Sequence, residues 1–130
     1  MMRRLLAPAA LTLLLTQCDP QCAPEPTTAD GTGTPGDCAS YQDDMAAVGL
    51  PVSTFTYIAR RESGCDPHVW VIDRDDNGGA MFGFNFIGSM SGYWKRMCGA
   101  TPGTIRGNVP LIMECAAAEY QAHGLRAWRT

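Results

Sequence analysis

The cysteines constrain this chain more than any other feature. Six of them stand in 130 residues, at positions 18, 22, 38, 65, 98 and 115. So many in so short a chain reads as a disulfide framework made in an oxidising compartment. None is spaced Cys-x-x-Cys, and neither His68 nor His123 has a partner at zinc spacing, so no metal or other cofactor is expected. The length and the mass of 14.0 kDa fit one domain at most. Hydrophobic residues make up 45% and charged residues 18%, near the globular average, so most of the chain should fold. The formal net charge is −3. Without a basic patch to grip phosphates, nucleic acid is excluded as a partner.

The amino end sets the compartment. Arg3 and Arg4 precede an apolar run from Leu5 to Leu15. A membrane-spanning helix needs roughly 20 apolar residues, so residues 1–18 read as a secretory signal. Leu15-Thr16-Gln17-Cys18 is similar to a bacterial lipobox, which would put a lipid, and a membrane tether, on Cys18. Gln17 departs from the small residue usual there. Residues 19–37 hold Pro, Thr, Gly and Asp with little to bury and read as a flexible linker. The folded domain is expected at 38–130. A secreted or otherwise extracytoplasmic monomer follows.

Within the domain, a helix is expected from about Cys38 to Val48, with Asp37 as its cap, Gly49 at its left-handed end and Pro51 blocking continuation. Ser53 should cap a second helix ending at Gly64, with Phe55, Ile58 and Ala59 on one face. Val69-Trp70-Val71-Ile72 is β-branched and aromatic. The turn-rich run Asp73–Gly79 and then Ala80–Phe84 complete a β-hairpin. A third helix is expected from about Met90 to Met97. The last begins near Asn108, carries Pro110 in its first turn and ends at Gly124. The class is α+β, mostly helical, with one small hairpin.

Four cysteines can be paired from these elements. Cys98 ends one helix and Cys115 lies in the next, so a bridge between them staples an antiparallel pair. Cys38 starts the first helix and Cys65 follows the second. Cys18 and Cys22 are left to each other, to a lipid, or to removal with the signal.

Glu62 lies seven, four and three residues after Phe55, Ile58 and Ala59, on the apolar face of its own helix. A carboxyl there is expensive to ionise, and it sits near the negative end of the helix dipole. Both effects favour the protonated form that a general acid needs.

Several strings match a known pattern. Tyr57-Ile58-Ala59-Arg60-Arg61-Glu62-Ser63-Gly64-Cys65-Asp66-Pro67, then Asn77-Gly78-Gly79-Ala80 with Gly83-Phe84, and finally Tyr120, Gly124 and Trp128 resemble the lytic transglycosylase and lysozyme-like superfamily of secreted bacterial and phage-encoded proteins. The resemblance runs over roughly 38–128. It implies a lysozyme-like fold and cleavage of the β-1,4 bond between N-acetylmuramic acid and N-acetylglucosamine in peptidoglycan. Glu62 would be the catalytic acid, and Ser63, Gly83, Asn85 and Tyr120 would contact substrate. Phe86 stands where the family commonly has Gln, and Asn85 beside it is the substitute contact.

A lytic transglycosylase uses the single Glu as acid and then as base, and the sugar's own 6-hydroxyl attacks. A hydrolytic lysozyme uses two carboxyls flanking the bond; Asp73, Asp75 and Asp76 are the candidates for the second, although Asp in tight turns commonly serves the backbone. A non-catalytic wall-binding module on the same scaffold is the alternative from another class. Asp73-x-Asp75-x-Asn77-Gly78 also matches half of a calcium loop, but its twelfth position is Phe84, which cannot ligate. Trp70, Trp94 and Trp128 could stack on sugars, with core packing the plainer expectation.

Overall fold

The computed structural model describes residues 29–129. The expected signal, Cys18, Cys22 and linker residues 19–28 lie outside them. About half of the described residues are helical, and the rest frame one small antiparallel sheet. The class is α+β. No described helix is long and apolar enough to cross a membrane.

A 3-10 turn at Cys38–Tyr41 leads into α1 (Gln42–Ala47). This pair replaces the single helix expected there, and the Asp37 side chain makes no cap bond. Helix α2 (Val52–Ser63) begins behind Pro51, not Ser53. Pro51 holds its φ at −63°, the value a helix entry needs, and its carbonyl accepts the Phe55 N–H. Gly64 closes α2 with φ 63°, a left-handed cap.

The sheet is a three-stranded meander of β1 (Trp70–Ile72), β2 (Asn77–Gly79) and β3 (Phe84–Asn85). Trp70 faces Gly79 and Ile72 faces Asn77 in one ladder; Gly79 also faces Phe84 in the next. The hairpin partner of β1 is therefore Asn77–Gly79, not Ala80–Phe84 as the propensities suggest. Close approach decides it. A Cβ on Gly79 would lie 2.2 Å from the Val69 carbonyl oxygen, so only a glycine backbone fits between its neighbours. Ala80, with φ 58°, breaks the extended run, and the chain turns before Phe84.

A 3-10 turn at Gly88–Met90 precedes α3 (Tyr93–Cys98). Helix α4 (Pro102–Ile105) is capped reciprocally by Thr101 and Thr104. Helix α5 (Val109–His123) starts at Asn108, whose side chain accepts the Leu111 N–H, and ends at Gly124. A 3-10 turn at Arg126–Trp128 follows.

Phe55 of α2 anchors the core. Its ring meets Phe82, Tyr120 and Trp128 edge-on, with centroids 5.5, 5.6 and 5.0 Å away. Phe82, Phe84 and Phe86 are all buried, as are Trp94 and Trp128. Cys38–Cys65 and Cys98–Cys115 are bonded, with Cα separations of 5.2 and 5.3 Å. The first ties the start of the domain to the end of α2; the second joins α3 to α5.

Residues 29–37, composed like a linker, lie on the domain. Ala29 is buried, the Asp30 N–H donates to Asp44, and Gly36 donates to the Cys65 carbonyl.

Candidate active site

Glu62 stands in the last turn of α2, one turn beyond the buried Ala59. Its face of the helix is apolar, but the core ends before it does. The side chain is 30% exposed and lies at the rim. The stem and carboxyl pass over Gly83. A Cβ at Gly83 would come within 2.8 Å of Glu62 Oε2.

Arg61 fixes the carboxyl from the other side. Its Nη2 and Nε donate to Glu62 Oε1 at 2.7 and 3.1 Å. The same Nη2 donates to the Trp128 carbonyl at 2.8 Å, and the guanidinium stands 6.0 Å from the Tyr57 ring centre. Trp128 in turn donates its indole N–H to the Phe82 carbonyl at 3.0 Å. The carboxyl is thus held by a chain of contacts from α2 through the carboxy-terminal turn to the loop before β3.

A cleft of about 190 Å³ opens beside Glu62, with Asp76, Gly83 and Asn85 on its lining and Val69 and Val71 forming an apolar wall. Helix α2, the sheet and its second turn build it. Helix α5 contributes no residue to its lining.

The sequence candidates separate cleanly against this geometry. Glu62, Gly83, Asn85 and Asp76 share the cleft. Ser63 does not line it; its hydroxyl lies 2.8 Å from the Met81 carbonyl oxygen and 3.0 Å from that of Ala59, and it accepts the Asp66 N–H. Ser63 therefore clips the end of α2 to the loop that carries Gly83. Tyr120 packs on Phe55 and is likewise outside the cleft lining. Asp73 Oδ1 accepts the N–H groups of Asp75 and Asp76 at 2.8 and 2.9 Å, the turn-forming role of a short acidic side chain. Asp75 points into solvent, its side chain 82% exposed. Phe86 is buried against Trp70, so it packs in the core, and Asn85 beside it lines the cleft. The Asn85 Oδ1 accepts the Ile87 N–H at 3.1 Å, which fixes the amide within the cleft.

Cys65 is bonded to Cys38, so no cysteine–histidine nucleophile pair exists with His68. Among the described residues no group of three or more His, Cys, Asp or Glu side chains is placed to hold a metal. Sequence reasoning missed Arg61. Its position next to Glu62 gave no signal, because adjacent helix residues point apart unless a long side chain folds back.

No protein-family model matches the chain, nor does any curated protein or solved structure.

Proposed function

We propose that this protein cleaves the β-1,4 bond between N-acetylmuramic acid and N-acetylglucosamine in peptidoglycan strands, as a lytic transglycosylase of lysozyme-like fold. The observation that carries the reading is the Glu62 carboxyl, oriented by Arg61 and seated over Gly83 at the edge of a cleft. Glu62 delivers a proton to the glycosidic oxygen as the bond to the anomeric carbon breaks. It then takes the proton of the muramic 6-hydroxyl as that oxygen closes on the anomeric carbon, giving a 1,6-anhydro product. Asn85 and the backbone at Gly83 line the path of the strand. The two disulfides support an extracytoplasmic place of action, where the wall is.

One observation favours a second reading, hydrolysis. Asp76 lines the same cleft as Glu62, and two carboxyls across a sugar bond are the equipment of a hydrolytic lysozyme. Digestion of purified peptidoglycan followed by mass spectrometry separates the two. Fragments lighter than hydrolysed ones by one water are the anhydro product. Fragments carrying the added water assign hydrolysis, and an intact wall leaves the cleft to a non-catalytic binding module.

A further inference from the structure

Residues 29–35 cross the first 3-10 turn and α1 as a strap. Ala29 is buried beside Val48 of α1 and Pro110 and Ala117 of α5, yet a hollow of about 490 Å³ remains around it. Gly31 lies against the Pro110 ring, where an added Cβ would stand 3.3 Å from Cδ. Gly33 lies so close on the Tyr41 ring that a Cβ has no room there. The Asp30 N–H donates to Asp44 Oδ1 at 3.0 Å, and the Thr34 N–H donates to the Ser40 hydroxyl at 2.8 Å.

The strap covers polar atoms that it does not satisfy. Tyr41 and Asp44 are three residues apart and share one face. Both are buried, and neither the Tyr41 hydroxyl nor Asp44 Oδ2 has a hydrogen-bond partner among the described residues. A buried polar group without a partner favours any opening that lets water reach it. The carboxy-terminal end of the strap is firm by contrast. The Gly36 N–H donates to the Cys65 carbonyl at 2.9 Å, Gly36 has φ 88°, and Cys38 is bonded to Cys65. Opening that starts at Ala29 therefore stops at Gly36.

We propose that residues 29–35 are a pH-operated strap, held closed over Tyr41 while Asp44 carries a proton and lifted about Gly36 when Asp44 ionises. Protonation turns Asp44 into a donor toward the Asp30 carboxylate, whereas ionisation sets two carboxylates against each other, one of them buried. The charges that act on Asp44 all oppose its ionisation. Asp30 belongs to the strap and Asp43 to its own helix, and α5 adds Glu114 on the lining of the hollow beside Ala29. Helix α2 meets α1 through uncharged groups, Thr56 with Gln42 and Met45. Tyr41 stays neutral, because burial first, and then the charges of Asp66, Asp44 and Asp37, raise its pKa above the ordinary tyrosine value. Among the described residues no Lys or Arg pairs with Asp44. Lifted, the seven residues of the strap add up to about 25 Å to the reach of the chain preceding the domain. The device is independent of the chemistry at Glu62.

Backbone ¹⁵N order parameters of the full chain, disulfides oxidised, test this between about pH 4 and pH 7. At the acid end residues 30–34 should be as rigid as α5, near 0.85, and at the neutral end they should fall below about 0.6 while α5 stays unchanged. Asp44→Asn should keep the strap rigid over the whole range. Asp30→Asn changes an exposed side chain, keeps an acceptor for Thr32 and removes the strap's charge, so it should move the loosening to higher pH. It keeps the test valid if Asp44→Asn does not fold. A wild-type strap equally rigid at both ends of the range, loosening that is the same in the Asp44→Asn and wild-type proteins, or loosening shared by α5 overturns the proposal.

Discussion

The Glu62 carboxyl occupies the space that a side chain at position 83 would fill: an added Cβ would stand 2.8 Å from Oε2 and 3.2 Å from Cδ. Gly83 also has φ 72°, a conformation that costs a non-glycine residue about 1–2 kcal/mol. Gly83→Ala therefore combines backbone strain with displacement of the carboxyl. Wall-cleaving activity should fall by about tenfold or more, the scale on which misplacing a reacting group is felt. The melting temperature should drop by roughly 4–8 °C for each kcal/mol of strain. Full activity in a folded Gly83→Ala protein would detach this contact from function.

Glu62→Gln keeps the shape and removes the transferable proton. Activity on peptidoglycan should fall by about 10² or more. Stability should change little, because the Arg61 pair is about a third exposed on both sides and such pairs contribute about 0–1 kcal/mol. A zymogram and a thermal melt of the same preparation read both quantities. A variant as active as wild type would remove the acid–base role from Glu62.

The three acidic residues of the β1–β2 turn should give three different answers. Asp75→Asn should be silent, since its side chain is solvated. Asp73→Ala should lose stability by about 1 kcal/mol through its two backbone N–H partners, with activity per folded molecule intact. Asp76→Asn is the informative one, because Asp76 alone of the three lines the cleft. A modest loss fits attack by the internal 6-hydroxyl. A loss equal to that of Glu62→Gln would assign Asp76 as the second carboxyl of a hydrolase.

Much of this arrangement was legible beforehand, and the reasons are physical. Asn108, Pro110 and Gly124 bracket α5 because capping chemistry is local. Cys98 and Cys115 could be paired because Cys98 ends one helix and Cys115 lies in a later one only 17 residues on. Strand β2 was misread because Gly78 and Gly79 carry no β propensity and are selected by the closeness of their neighbours. Helix α4 has four residues, too few for a period to show. Residues 29–37 looked unburiable because they pack through backbone: a Cβ on Gly33 would meet the Tyr41 ring at 2.4 Å. Periodicity gives the side of the helix on which Glu62 lies but not where the core ends, so its place at the rim is not legible from spacing.

The two bridges should contribute unequally but substantially. Their separations of 17 and 27 residues correspond to about 3 and about 3.5 kcal/mol in the chain-entropy account. Replacing Cys98 and Cys115 together by Ala, or Cys38 and Cys65 together, should lower the urea midpoint by those amounts when multiplied through the slope. Loss of Cys38–Cys65 should also reduce wall activity, because it holds the chain just after Glu62. Loss of Cys98–Cys115 should spare that activity in the molecules that remain folded. The reverse ranking of activities would place the functional surface elsewhere.

Asp44 offers a test through pH. It is 4% exposed; Oδ1 accepts the Asp30 N–H at 3.0 Å, and Oδ2 has no hydrogen-bond partner among the described residues. Burial, reinforced by the charges of Asp30 and Asp43, pushes its pKa above the usual aspartate value despite the opposing Asp30 N–H bond. A group whose folded pKa is raised binds its proton more tightly in the folded state. Its contribution is then fully present below the unfolded value, near 3.9, and is lost as pH rises through the folded one. Asp44→Asn keeps an acceptor for Asp30 and removes the charge. Relative to wild type, the variant should therefore gain stability as pH rises from about 4 to 7, with the two proteins closest at the acid end. Urea unfolding at several pH values across that window measures the difference. A gap that stays constant, or one that widens toward acid, would show that Asp44 is compensated in the folded protein.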